Sequence, residues 1–173
     1  MPVETPVFAS PAIDLYTDDA NAKALRAAGA GATLDSWLTA HLGRIAAGDY
    51  FAVLGYVQMN SDHESKLQVI RHAVRNNKHV ATCLGFGPRF LHSTGQAYKG
   101  GPNSGVFLQI TCDDAVDLPV PEQKYTFGVV KAAQARGDFQ VLAERGRRAL
   151  RVHLHDVESG LSSLVSAIQS ALG

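Results

Sequence analysis

The chain has 173 residues, of which 46% are hydrophobic and 18% charged, and its formal net charge is zero at pH 7. That length and composition fit one globular domain with a substantial core. No stretch approaches the roughly 20 apolar residues that a membrane-spanning helix needs, and the N-terminus lacks the basic and apolar regions of a secretory signal, so we expect a cytoplasmic protein.

Apolar runs define the predicted strands. Residues 1–10 are predicted to be a tail or linker remnant, which leaves residues 11–173 as one domain. Continuous apolar runs, typical of strands buried on both faces, occupy residues 50–57, 79–84 and 105–111. The run at 150–154 alternates between polar and apolar residues and is therefore predicted to lie nearer an edge of the sheet.

Helical spacing of apolar residues separates these runs. Asp35 is predicted to cap one helix, and Ser61 or Asp62 another. Residues 127–148 are predicted to be helical with a break in the middle, because Gly137 can end one helix and Asp138 can cap the next. A last amphipathic helix covers residues 157–172. Strands that alternate with helices indicate a parallel sheet covered on both faces.

The zero net charge hides an asymmetry along the chain. Residues 65–112 contain six lysines and arginines and no acid, whereas the other residues carry ten basic and sixteen acidic side chains. Such a segment predicts a positive field that would favour an anionic ligand. The alternative is that much of the segment is buried strand, from which charges are absent in any case.

Residues 85–105, GFGPRFLHSTGQAYKGGPNSG, follow a predicted strand at a place where open parallel sheets bind ligands. Gly85 and Gly87 would let the backbone turn tightly and approach a ligand, and Pro88 suits the first position of a helix. Free backbone N–H groups beside Arg89 could then hold a phosphate or a carboxylate. The alternative is a strand–glycine–helix turn that binds nothing.

A helix predicted over residues 89–99 would place several polar side chains on one face. His92, Gln96 and Lys99 follow at helical spacing, and Arg89 joins the same stripe. Such a face offers donors for sugar hydroxyls and phosphate, and its histidine and lysine could transfer protons. A solvated helix face is the alternative. The candidate site residues are Arg89, His92, Ser93, Thr94, Gln96 and Lys99.

Two long stretches carry a family resemblance: GFGPRFLHSTGQAYKGGPNSGVFLQIT and QKYTFGVVKAAQARGDFQVLAERGRRALRVHL. They closely resemble the C-terminal end of bacterial bifunctional transaldolase/glucose-6-phosphate isomerases, and the resemblance extends from PAIDLYTD to the final helix. It implies the second sugar-isomerase (SIS) domain of the isomerase half. Such domains are three-layer α/β/α sandwiches around a mainly parallel sheet of about five strands.

The function that the resemblance implies is part of a glucose-6-phosphate isomerase, which interconverts glucose 6-phosphate and fructose 6-phosphate. A carboxylate base in such enzymes moves a proton between adjacent carbons. Lys99, in the tripeptide AYK, would help to open the sugar ring and stabilise the developing oxyanion, and His92 would carry a proton. Arg89, Ser93, Thr94 and Gln96 would contact the substrate. The resemblance implies neither a cofactor nor a metal.

The resemblance also implies partners. The first SIS domain and the transaldolase domain of that family are missing from this sequence, and with them the family's glutamate base, so the chain alone is expected to be an incomplete catalyst. Glu64, within SDHE, is interpreted as part of a helix start. We expect sugar phosphate, the upstream domains and a second copy of the chain as partners, and neither nucleic acid nor membrane. The alternative is a non-catalytic SIS-type binding or dimerisation module.

The histidines outside the candidate segment predict no metal site. His153 and His155 alternate along RVHLHD and share one face of a strand, but with Asp156 as their neighbour no third ligand has suitable spacing. A surface pair is the expected interpretation. His41, His72 and His79 are predicted to contact solvent.

Overall fold

The computed structural model describes residues 3–173, which build a six-stranded sheet from the predicted apolar runs and a short N-terminal pair of strands. Across the sheet the strands follow the order β1-β2-β6-β5-β3-β4. Their bounds are Phe8–Ala9 for β1, Ile13–Tyr16 for β2, Tyr50–Tyr56 for β3, Ala81–Phe86 for β4, Gly105–Cys112 for β5 and Arg148–Leu154 for β6.

The four strands predicted from the apolar runs are parallel, with β3 between β4 and β5, and β5 between β3 and β6. The N-terminal strands differ, since β2 pairs antiparallel with β6 and β1 pairs antiparallel with β2. The sheet therefore has six strands rather than about five. Part of the segment predicted to be a tail supplies β1, while its first two residues lie outside the described part of the chain.

The predicted edge position of β6 is wrong, because β2 and β5 flank it. Its alternation has another cause. Leu150 and Val152 enter the core on one face, whereas Arg151 is buried on the other. The Arg151 guanidinium lies 4.3 Å from the centre of the Tyr16 ring and pairs with Glu4 at 2.7 Å. A polar position in this strand thus marks a buried cation with partners rather than a solvent-facing edge.

Within residues 3–173, six α-helices and one 3₁₀ turn connect or flank the strands. All the α-helices except α4 begin after a side-chain cap, as in α2, where the Thr33 hydroxyl accepts a hydrogen bond from the Ser36 N–H, and in α3, where the Asn60 side chain accepts from the His63 N–H. The predicted caps at Asp35 and at Ser61 or Asp62 each lie one or two residues too far along the chain. The helices are α1 Asp19–Ala27, α2 Leu34–Leu42, α3 Ser61–Lys78, α4 Thr94–Gly100, α5 Phe127–Glu144 and α6 Val157–Leu172.

Helices cover both faces of the sheet, which gives three layers. Phe51 and Val53 of β3 pack in the larger apolar cluster with α2, α3 and α6. The alternate residues, Leu54 and Tyr56 among them, pack in a second cluster with the segment after β4 and with α5. The period of two along a strand sends successive side chains to opposite layers.

The predicted break in α5 is wrong: the helix runs without interruption through Gly137. Asp138 caps nothing, since it is buried in the middle of the helix with 4% of its surface exposed. Its surroundings are part of the candidate site described below. Among the described residues, no helix is both long and apolar enough to cross a membrane.

His41 also differs from its predicted exposure. It is fully buried on α2, with its Nε2 3.0 Å from the carbonyl oxygen of Phe107. Burial and the neighbouring Arg44 charge lower the pKa of His41 to about 3. The ring is therefore neutral at physiological pH and belongs to the core.

Candidate functional site

The candidate segment begins, as predicted, at the carboxyl end of a parallel strand. β4 ends at Phe86, a 3₁₀ turn covers Arg89–His92, and α4 covers Thr94–Gly100. The single helix predicted over residues 89–99 is wrong, because Ser93 has φ −129° and ψ −110° and interrupts it. Arg89, His92, Gln96 and Lys99 consequently do not form one helical face.

Two glycines of this segment are required by packing. A Cβ atom on Gly87 would lie 2.6 Å from two atoms of the Tyr56 ring, and one on Gly85 would lie 2.9 Å from Cδ1 of Phe90. The Tyr56 and Phe90 rings meet edge to face with 5.6 Å between their centroids. The close approach that the glycines permit is therefore made by aromatic side chains of the core, not by a ligand.

Replacing Gly87 with alanine should lower the free energy of unfolding by about 1–3 kcal/mol, since Tyr56 is buried and cannot move aside. Urea unfolding of the variant measures this. Gly100→Ala is the matched control, because a Cβ there would meet no atom within 4 Å. We expect the control to be as stable as the natural sequence or slightly more stable. Equal stability of the two variants would contradict the packing role of Gly87.

Two of the predicted residues, Arg89 and Ser93, line a groove of about 340 Å³ beside the end of β4. Glu64 and Gln68 of α3 and Met59 complete its polar and flexible lining. The Arg89 Nη1 atom lies 3.1 Å from the sulfur of Met59. A guanidinium, a hydroxyl, a carboxylate and an amide thus share one small concave surface. We call this surface the Arg89 groove.

Glu64 is the member of the Arg89 groove that the sequence interpretation missed. It is half-buried in the first turn of α3, and it lines the same groove as Arg89 because α3 packs against β4. The sequence holds one signal for this contact: a helix that joins two adjacent parallel strands crosses over those strands. A carboxylate close to a guanidinium and a hydroxyl can serve as a proton acceptor beside an anion-binding group.

The predicted proton carrier His92 and two predicted substrate contacts lie outside the lining of the Arg89 groove. His92, Thr94 and Gln96 are exposed. The Gln96 amide donates a hydrogen bond to the carbonyl oxygen of Leu91 at 2.5 Å, which bridges the 3₁₀ turn and α4. The roles suggested for these three residues stay predictions.

Lys99 lies between α4 and α5 in a buried ion pair. Its Nζ is 2.5 Å from Oδ1 of Asp138, and the two side chains are 18% and 2% exposed. Burial and the Asp138 carboxylate raise the pKa of the nearby Tyr56 hydroxyl. The Lys99–Asp138 ion pair therefore joins α4 to α5 through two charges that are largely removed from water. The catalytic role predicted for Lys99 stays a prediction.

Acids from outside residues 65–112 neutralise part of that basic segment. Lys66 pairs with Asp62 at 2.7 Å and Glu158 at 3.1 Å, and Lys99 pairs with Asp138. Arg89 differs, since within residues 3–173 it forms no ion pair. Fewer side chains than predicted therefore contribute an uncompensated positive charge, and Arg89, in the groove, is one of them.

A larger cavity, of about 490 Å³, lies at the carboxyl ends of β5 and β6 and beside the first turns of α5. Its polar lining comes from both strands, from the loop after β5 and from α5. This position, where parallel strands end and helices begin, is the usual place for a ligand in an open α/β sheet. The charged and polar side chains that line the cavity include Thr111, Asp113, Asp114, Lys131, Arg136, Arg151 and His153.

Comparisons with known proteins support the fold. No family model and no curated protein matches the chain. Among solved structures, the chain is similar to a hypothetical protein from Thermus thermophilus, with a TM-score of 0.68 and 17% identity. The match covers 89% of this chain and 43% of the other, so the chain spans less than half of that protein's length. At this identity the similarity establishes an α/β fold and nothing about activity.

Proposed function

We propose that this chain is a cytoplasmic SIS-like domain that acts within a glucose-6-phosphate isomerase of the transaldolase/isomerase type. Two features support the proposal: the long resemblance in residues 85–111 and 123–154, and the three layers of an α/β sheet in which those residues lie on β4, α4, β5, α5 and β6. The substrates would be glucose 6-phosphate and fructose 6-phosphate.

The observation that carries the proposal is the composition of the Arg89 groove. Arg89 can pair with a phosphate dianion, and the Ser93 hydroxyl can donate to a phosphate or sugar oxygen. Glu64 supplies a carboxylate on the opposite wall, from α3. In the isomerisation, the carboxylate would take the proton from C2 of the open-chain aldose as O1 gains a proton, and would return it to C1 of the enediol as O2 gives up its proton, which yields the ketose.

Lys99 and His92 have secondary places in this proposal. The Lys99 ammonium could assist ring opening only after its pair with Asp138 separates, because the carboxylate now neutralises it. His92 is exposed next to the groove residue Ser93 and is free to contact a bound sugar. The first SIS domain and the transaldolase domain that the resemblance implies would supply the remaining contacts.

A coupled isomerase assay tests the proposal. The chain is assayed alone and after mixing with the missing domains, and glucose 6-phosphate formed from fructose 6-phosphate is detected through its dehydrogenase. We expect turnover in the mixture well above that of either part. If the mixture is inactive and the chain does not bind fructose 6-phosphate, the proposal is wrong.

Arg89→Met should weaken the binding of fructose 6-phosphate by roughly 10- to 100-fold, because one charge-assisted contact is lost. Calorimetry on the isolated chain measures the affinity. Arg75→Met is the control, since Arg75 is another exposed arginine of the acid-free segment and does not line the groove. If the two variants bind fructose 6-phosphate with equal affinity, Arg89 does not bind the phosphate.

A second candidate function is a non-catalytic module that docks other domains or a second copy. Several large apolar side chains between β5 and the start of α5 favour it, since Val116 is 78% exposed and Leu118 60% exposed. Phe127, at the first position of α5, is 55% exposed. Binding of fructose 6-phosphate without turnover in the mixture, together with a stable complex on size-exclusion chromatography, would favour this candidate.

A further inference from the structure

Two histidines and a carboxylate meet where β5 and β6 end. Asp113 follows β5, and its Oδ1 lies 3.1 Å from Nε2 of His153. Its Oδ2 lies 3.3 Å from Nδ1 of His155. The parallel register pairs Cys112 with Leu154 and so brings the three side chains together across a gap of about forty residues in the sequence. One ligand atom from each side chain falls within 4.8 Å of the other two.

The outer nitrogen of each ring also has a polar partner that orients the ring. Nδ1 of His153 lies 2.9 Å from the Thr111 hydroxyl, which itself donates to the carbonyl oxygen of Val152 at 3.4 Å. Nε2 of His155 lies 3.3 Å from Oδ2 of Asp14. Thr111 and Asp14 thus orient the two rings from their outer sides, while Nε2 of His153 and Nδ1 of His155 point to Asp113.

In the metal-free protein both nitrogens can donate hydrogen bonds to the Asp113 carboxylate, and a bound cation would take the place of those protons. We propose that Asp113, His153 and His155 bind a divalent transition-metal ion of the Zn²⁺ type. Neutral imidazoles and a carboxylate are ligands that Zn²⁺ prefers, and a carboxylate or hydroxyl on the outer nitrogen is the partner that metal-binding histidines use.

The spacing of the ligand atoms agrees with such an ion. A tetrahedral ion with bonds of about 2.0–2.1 Å holds its ligand atoms roughly 3.3–3.4 Å apart. Each histidine nitrogen lies near that distance from one oxygen of Asp113, Nε2 of His153 3.1 Å from Oδ1 and Nδ1 of His155 3.3 Å from Oδ2. Three protein ligands leave a coordination position for water or an anionic ligand. The cavity of about 490 Å³, which His153 and Asp113 line, provides room for it.

In a second cluster of similar composition, groups of the protein itself satisfy the carboxylates and the histidine. His63 lies between Asp62 and Glu158, with Nε2 2.7 Å from Glu158 and Nδ1 2.8 Å from the carbonyl oxygen of Gln58. The Lys66 ammonium pairs with both carboxylates. A protein cation already occupies the position of a metal there, so this cluster is the internal control.

Zn²⁺ titration of the untagged full chain against a chromophoric chelator tests the site. We expect one high-affinity Zn²⁺ per chain, and bound Co²⁺ should show the visible absorption of a low-coordinate site. His153→Ala and His155→Ala should each lower the affinity by more than the 10- to 100-fold that loss of an outer partner causes. Asp14→Ala, which removes the outer partner of His155, should lower it by about 10- to 100-fold.

Controls separate loss of binding from loss of fold. The histidines are 24% and 39% exposed, so the alanine variants should unfold, without metal, at the temperature of the natural sequence. Zn²⁺ should raise the unfolding temperature of the natural sequence and of Glu158→Gln, but not of the histidine variants. Absence of Zn²⁺ binding at micromolar concentration would overturn the proposal. The proposal would also be overturned if Zn²⁺ still binds to both His153→Ala and His155→Ala, or if Glu158→Gln abolishes Zn²⁺ binding.

Discussion

Replacing Lys99 with methionine should lower the free energy of unfolding by about 3–5 kcal/mol, because the Asp138 carboxylate would remain in the interior without its cation. The Asp138 side chain is 2% exposed, so water cannot replace the lost partner. Urea unfolding at neutral pH measures the change. Lys66→Met is the matched control: Lys66 also pairs with carboxylates, but those carboxylates are exposed, and we expect little change.

A double variant distinguishes the anchoring role of the pair from a catalytic one. Lys99→Met combined with Asp138→Leu removes both charges and should recover most of the stability, because apolar residues of similar volume often replace a buried ion pair without loss. If the double variant is stable and the mixed isomerase keeps its turnover, Lys99 has no part in the chemistry. A stable Lys99→Met variant without turnover would instead contradict the structural anchor and favour the catalytic role.

Glu64→Gln should lower turnover in the mixed isomerase by about 10²- to 10⁴-fold, the range that general acid–base catalysis contributes. The amide has the shape of the carboxylate and cannot accept the proton from C2, so the affinity for fructose 6-phosphate should change little. The coupled assay measures turnover, and calorimetry measures affinity.

Glu144→Gln is the control for Glu64. Glu144 is an exposed glutamate at the last position of α5 and accepts a hydrogen bond from Gln140 at 2.7 Å, away from the Arg89 groove. The same substitution there should leave turnover unchanged. Unchanged turnover in Glu64→Gln would show that the base lies in one of the missing domains, as the sequence alone suggests.

The strands that the sequence predicted well are those whose whole length is apolar. β3 and β5 are continuous runs that both layers of helices cover, so no periodicity needs to be recognised. β2 has four residues and alternates only twice, which is too short for a pattern to separate it from a loop. The break expected in α5 depended on Gly137 and Asp138, and the contact of Asp138 with Lys99 overrides that local preference.

The residues of the candidate sites also fall into two groups: those that a local sequence pattern predicts and those that only the packing brings into a site. Arg89 and Ser93 belong to a single stretch of unusual composition, so the sequence could single them out. Glu64 and Asp113 enter their sites through the packing of α3 on β4 and through the register of β5 with β6. No local sequence pattern encodes these two placements. Asp156, the neighbour of His155 in the sequence, caps α6 instead of joining the histidines.

The order of the strands sets where a preceding domain can attach. Glu4 pairs with Arg136 of α5 and Arg151 of β6, so the first described residues lie over the middle of the sheet, whereas the Arg89 groove lies next to β4 at its edge. Three inter-strand spacings of roughly 4.8 Å separate β6 from β4, a distance of roughly 14 Å. A domain joined before residue 3 would therefore have to extend past β5 and β3 to reach the groove.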